Sequence, residues 1–193
     1  EQLFMSNFVI VTDSCCDLSA EMISELEIGI APLSLELDGR AYREGEMPPA
    51  ALYAHMRRGK LPKTAAVNPD GWAAAIRPAL KAGRDVLVLA FASALSATYQ
   101  SAVIAAEELQ EKYPQRKIRV VDTLCASLGQ GLLVYYACKK RDEGLTLEEL
   151  TAWCEEYKFK LCHWFTVDDL MYLKRGGIVS AATALLGTML QIK

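Results

Sequence analysis

Asp85-Val-Leu-Val-Leu-Ala-Phe-Ala-Ser-Ala-Leu-Ser-Ala-Thr-Tyr-Gln-Ser-Ala102 is the stretch that decides the fold. Residues 86–91 form an apolar run, and a helical pattern begins near Thr98. Between them Ser93, Ser96, Thr98 and Tyr99 crowd a polar turn. Strand, turn and helix in that order put the hydroxyls at the carboxyl end of a buried strand, the edge where open α/β sheets bind ligands. Hydroxyls beside the free N–H groups of a helix start make an anion-binding corner that needs no cation. Residues 86–106 carry no charge and are long enough to cross a bilayer. Their polar middle, with Ser93, Ser96, Thr98, Gln100 and Ser101, would be costly in lipid, so strand, turn and helix is the better reading.

The same unit recurs on either side. Phe8-Val-Ile-Val-Thr12 reads as a buried parallel strand ending in Asp13-Ser14, followed by a short helix over residues 19–27. Residues 118–121 read as another strand, ending in Asp122-Thr123 and followed by a helix over Ser127–Asp142. Leu33, Leu35 and Leu37 alternate with polar residues and close on Asp38-Gly39, a half-exposed strand and its turn. Residues 49–58 look helical. Asn68-Pro69-Asp70 is a strong helix start, running toward Gly83 with Pro78 as a warning of a kink. Thr146 and Glu149 have capping-box spacing, and residues 161–167 return to strand character with His163 in their midst. Recurring strand, turn and helix predicts an α/β fold, a parallel sheet with helices on both faces. The turns after the three strands then lie on one rim.

Composition narrows the function. The chain has 193 residues, 52% hydrophobic and 23% charged, with net charge -3, which suits a core of one domain plus part of a second. Nothing steers it toward a polyanion, so nucleic-acid binding is not expected. Cys15, Cys16, Cys125, Cys138, Cys154 and Cys162 show no C-x-x-C spacing and are read as reduced, small apolar residues of a cytoplasmic protein. Met5 is read as the start, and residues 1–4 are set aside. The uncharged, small-residue-rich stretch 176–192 needs a cover, and the chain is expected to lack the rest of a second domain.

Side-chain chemistry limits catalysis. His55 reads as a surface residue and His163 as a hydrogen-bonded core residue, so neither is a natural base for a serine nucleophile. No G-x-S-x-G elbow, P-loop or G-x-G-x-x-G occurs. One reading gathers Asp13, Asp17, Asp122, Asp168 and Asp169 around Mg²⁺ in a phosphotransferase or hydrolase using Asp13 and Asp122. The preferred alternative is that Asp13 and Asp122 tie down their own turns. Lys174-Arg175-Gly176-Gly177 suits either a phosphate or a domain joint.

Several segments together resemble the DegV family, fatty-acid-binding proteins of Gram-positive bacteria and relatives. Val11-Thr-Asp-Ser-Cys-Cys-Asp-Leu18 is similar to the opening T-D-S-x-x-D-L, and Leu61-Pro-Lys-Thr64 to P-K-T-S. Ser93-Ala-Leu-Ser-Ala-Thr-Tyr-Gln-Ser-Ala102 resembles S-x-L-S-G-T-Y-x-S-A. Val120-Val-Asp-Thr123 with Ser127-Leu-Gly-Gln-Gly131 resembles V-x-D-S-x-x-x-S-x-G-x-G, and residues 165–177 the domain-joining segment. Ala65, Ala97 and Ile178 stand where the family usually has Ser, Gly and Arg, and Thr123 where it has Ser.

The resemblance implies a DegV-type first domain over residues 5–164 and, over 165–193, the beginning of a second α/β domain. It implies a non-enzymatic, cytoplasmic carrier that buries a long-chain fatty acid such as palmitate and presents the carboxyl group to a separate fatty acid kinase. Thr64 and Ser93 would hold the carboxylate, with Ser96 nearby. No metal, catalytic residue or further cofactor is implied, and no stable membrane insertion. The family's carboxylate-contacting His would lie in the part of the second domain that this chain lacks.

Overall fold

The computed structural model describes residues 7–43, 45–167 and 169–175. Met5, Asp168, Ile178 and the stretch 176–192 therefore lie outside the described residues. The chain divides into two compact units, Glu1–Leu161 and Cys162–Lys193.

The first unit is built on four parallel strands, β1 (Phe8–Asp13), β2 (Gly29–Ala31), β6 (Asp85–Ala90) and β7 (Ile118–Asp122), in the order β2-β1-β6-β7. Thr12 stands beside Leu89, and Leu89 beside Val121, so the strand ends lie level. The two central strands, β1 and β6, read as unbroken apolar runs because both faces are covered. Val11, Val86, Val88 and Ile118 pack on one side with Trp72, Ile76 and Leu80 of α3 (Pro69–Lys81) and Ala102, Ala105 and Leu109 of α4 (Thr98–Lys112). Phe8, Ile10, Leu87, Leu89 and Val121 face the other way, toward Val134 and Ala137 of α5 (Ser127–Asp142) and Leu150 of α6 (Leu147–Tyr157). Alternate residues of one strand thus serve two cores, each large side chain worth about 1.5–3 kcal/mol of burial.

Strand order reverses between β1 and β6. The first crossover, through α1 (Ala20–Glu25), leads to β2 on one side of β1, whereas β6 and β7 lie on the other. That reversal is the topological switch point, and it opens the crevice between the loops after β1 and β6.

A second, antiparallel sheet holds β3 (Ser34–Leu37), β4 (Arg40–Arg43) and β5 (Lys63–Ala65) in the order β4-β3-β5. The turn Asp38-Gly39 has positive φ at both residues, 52° and 77°, the geometry that matches hairpin twist. Between β4 and β5 lies α2 (Pro49–Arg57), which has Pro at its start.

Helix starts follow their sequence signals. Asn68 Oδ1 accepts the Gly71 N–H at 2.8 Å, and Thr146 with Glu149 forms the full capping box. Pro78 does not end α3: both Pro78 and Ala74, whose carbonyl it leaves unbonded, are solvent-exposed.

In the second unit the described residues form one helix, α7 (Leu170–Arg175). The strand expected over 161–167 is absent: this segment is irregular and has no pairing partner among the described residues, and His163 is exposed rather than in a core. A strand pattern without a neighbouring strand to bond has nothing to hold it extended.

Candidate functional site

Three strand ends build the rim. Asp13, fully buried at the end of β1, accepts the Cys15 N–H through Oδ1 at 3.1 Å and the Phe91 N–H through Oδ2 at 2.8 Å. Burial pushes its carboxyl above the ordinary range, against the pull of the bonds from Phe91, Gln130 and Cys15. Beside it Thr12 donates to the Leu89 carbonyl at 2.6 Å and accepts from Gln130 Nε2 of α5 at 2.9 Å. Gln130 Oε1 is buried with no bonded partner among the described residues.

On the far side of β6, Asp122 ends β7. Its Oδ1 accepts the N–H groups of Ser93 and Leu124, each at 3.1 Å. Thr123 Oγ1 bonds the Ala90 carbonyl at 2.7 Å, and the Ala92 N–H bonds the Cys125 carbonyl at 3.1 Å. The loop after β6 is therefore held by its backbone from both neighbouring strands. Asp13 and Asp122 do tie down turns, their own and that loop's. Both Asp13 oxygens and Oδ1 of Asp122 are engaged by N–H groups, and no cluster of three metal-ligating side chains occurs among the described residues.

The expected head-group residues divide into two kinds. Ser93 is exposed, and its hydroxyl has no bonded partner among the described residues; the same holds for Thr64. Ser96 is committed elsewhere. Its Oγ lies 2.8 Å from Thr98 Oγ1 and accepts the Thr98 N–H at 3.2 Å. Ala97 occupies the cap of α4 and offers no side-chain acceptor, so Ser96 does that work one residue earlier.

Thr64 stands on β5, opposite Leu35. Short links lead to it from the rim: Ser14 Oγ accepts the Leu33 N–H at 3.0 Å, and Ser34 pairs with Ala65. After β5 the chain enters α3, where Trp72 Nε1 donates to the Thr98 carbonyl at 3.0 Å. The segment that enters the antiparallel sheet is thus tied to the loop after β1, and the helix that follows the sheet to the start of α4.

Exposed apolar side chains occur in the loops after β6 and β7 and along the first turns of α5. Leu95, Leu124, Leu128 and Leu132 are all more than 40% exposed. Leu124 also holds φ at 55°, an uncommon conformation for a bulky residue that its bond to Asp122 helps to fix. A groove of about 710 Å³ runs elsewhere, between α4 and β7, lined by Tyr99, Val103, Ile118 and Val120 with Glu107 and Arg119.

Lys158 escaped the sequence reading, and Gly131 entered it only as part of a motif, without a role. A Cβ on Gly131 would meet the Cys16 carbonyl at 2.4 Å, so the loop after β1 lies directly on α5. Lys158 Nζ donates to the Asp122 carbonyl at 2.9 Å. Only tertiary contact gives either residue its role.

Residues 7–193 match the family model described as "Uncharacterised protein, DegV family". A DegV domain-containing protein of Clostridium perfringens is 46% identical over 192 residues, 98% of this chain and 66% of that protein. A DegV family protein of Thermus thermophilus, described as binding fatty acid, is 37% identical with a TM-score of 0.81, over 94% of this chain and 64% of its own. A stearic-acid-binding protein of Eubacterium ventriosum is 30% identical with a TM-score of 0.80, over 93% of this chain and 64% of its own. The Streptococcus pneumoniae fatty acid kinase B3 protein, loaded with linoleic acid, is 20% identical and shares the fold with a TM-score of 0.74, over 95% of this chain and 64% of its own. The chain thus spans about two thirds of the length of these relatives. Among the described residues no helix is long and apolar enough to cross a membrane.

Proposed function

We propose that this chain, which belongs to the DegV family, binds a long-chain fatty acid and holds its carboxyl group with the hydroxyls of Thr64 and Ser93. The observation that carries the reading is the rim itself. Two exposed hydroxyls without a bonded partner among the described residues stand on β5 and on the loop after β6, and exposed leucines lie in the loops after β6 and β7 and at the start of α5. A hydroxyl bonded to an anion contributes about 1.5–3 kcal/mol. A tail contributes about 0.8 kcal/mol per buried methylene, so fourteen give ~11 kcal/mol before the costs of binding. Affinity then comes from the tail and orientation from the hydroxyls. Ser96 supports the site by shaping the start of α4.

The carrier works in the cytoplasm with a separate fatty acid kinase, to which it presents the carboxyl group. Residues 5–164 act as the head-group domain and 165–193 begin a second α/β domain. The resemblance of motifs and the fold shared with the fatty acid kinase B3 protein support this extension.

An organic extract of the purified protein, read by mass spectrometry, is expected to contain a long-chain acid. Delipidated protein is expected to take up added palmitate. An empty extract together with no uptake would refute the proposal.

A further inference from the structure

Asp122 fastens two loops with one oxygen. The Ser93 N–H reaches it from 29 residues away and the Leu124 N–H from two, each at 3.1 Å. Along the loop after β6, Phe91 is held by Asp13 and Ala92 by Cys125, and the Ala92 carbonyl takes the Leu95 and Ser96 N–H groups. The Ser93 N–H is thus the loop's outward tie at its tip, next to the hydroxyl assigned to the head group. Behind it Lys158, whose side chain is only 8% exposed, bonds the Asp122 carbonyl and pairs with Glu155, which fixes the strand end that carries the acceptor.

We propose that Asp122 is the positioning residue of the head-group loop, setting where Ser93 presents its hydroxyl through the place of its oxygen rather than through its charge. The inference rests on the reading of Ser93 as a carboxylate donor. Charge argues against an electrostatic role, because a carboxylate beside an anion site opposes the anion. What the position needs is an acceptor at one fixed point, reached by two N–H groups from different loops. The geometry supplies that, and an amide oxygen of the same length would supply it as well.

The test uses [1-¹³C]palmitate, with hydrogen exchange of the Ser93 and Leu124 amides as a readout that needs no ligand. Asp122→Asn keeps the acceptor and drops the charge. Asp122→Glu keeps the charge and moves the acceptor by one methylene, and Asp122→Ala removes both. Asp122→Asn is expected to keep both amides protected, to leave the bound carboxyl ¹³C signal unchanged and to bind palmitate at least as tightly as the parent. In Asp122→Glu and Asp122→Ala both amides should exchange faster, the carboxyl signal should move toward that of the acid in micelles, and affinity should fall about tenfold.

Unchanged exchange and signal in Asp122→Glu and Asp122→Ala would overturn the inference, as would an Asp122→Asn variant as impaired as Asp122→Ala. A parent protein that takes up no palmitate overturns the fatty-acid reading and with it the head-group role. The Ser93 exchange pattern distinguishes that failure from failure of the clamp itself.

Discussion

Gly131 of α5 approaches Cys16 so closely that an added methyl group would stand 2.4 Å from the Cys16 carbonyl oxygen and 3.0 Å from a methyl of Leu18. The Leu18 side chain can turn aside, but the Cys16 carbonyl is backbone and cannot. The contact seats the loop after β1 against the helix that follows β7, and Ser127 bonds Asp17 across the same joint. Gly131→Ala is therefore expected to destabilise the fold by about 1–3 kcal/mol. That lowers the melting temperature by several degrees, about 2–4 °C per kcal/mol for a chain of this size. An unchanged thermal melt would contradict the close approach.

Asp13 gives a pH signature of defined sign. Burial raises its folded-state pKa above the usual 3.8. A carboxyl raised in this way contributes stability below its unfolded pKa and loses that contribution as pH rises through the folded one. Asn at this position does not titrate. The stability of the parent relative to Asp13→Asn should then grow as pH falls from 7 toward 4. Paired melts across that window check it, and a difference that shrinks on acidification would contradict the raised pKa.

Local chemistry made some of this legible in the sequence. Asn68 and Thr146 announce helix starts because their side chains bond N–H groups three residues on, within the same short stretch. The buried strands announce themselves because two covered faces demand an unbroken apolar run. Pairing that depends on distant partners was not legible. β2 and β5 are three residues each, and only the neighbouring strand makes them strands. Segment 161–167 is the converse, a strand-like pattern without a paired neighbour among the described residues. Turn chemistry suggested that Asp13 and Asp122 bond their own turns. Nothing local could show that each also grips the loop of a strand 78 or 29 residues away.

The cysteines should differ sharply in reactivity. Burial pushes the Cys125 and Cys138 thiols up to about 11 and Cys154 up to about 12. At pH 8 almost none of these is thiolate, the reacting form. Cys162 is exposed. Iodoacetamide labelling of the folded protein, followed by peptide mass spectrometry, should therefore modify Cys162 well before those three. Equal labelling of Cys154 and Cys162 would contradict the buried placement of α6.

Three hydroxyls of similar sequence appearance should respond differently to removal. Ser93 and Thr64 carry exposed hydroxyls that bond no other described residue, so Ser93→Ala and Thr64→Ala cost the fold little. Each should weaken palmitate binding by roughly tenfold or more, the value of a hydrogen bond to a charged group. Methyl palmitate, which lacks the anion, should lose much less. Ser96 instead serves Thr98 at the start of α4. Ser96→Ala should lower stability by about 0.5–2 kcal/mol, as loss of a helix cap does, with a smaller effect on affinity. Calorimetric titration beside thermal melts separates the two behaviours. If Ser93→Ala and Thr64→Ala weakened the ester and the acid equally, the hydroxyls would be shaping the cleft and not gripping the head group.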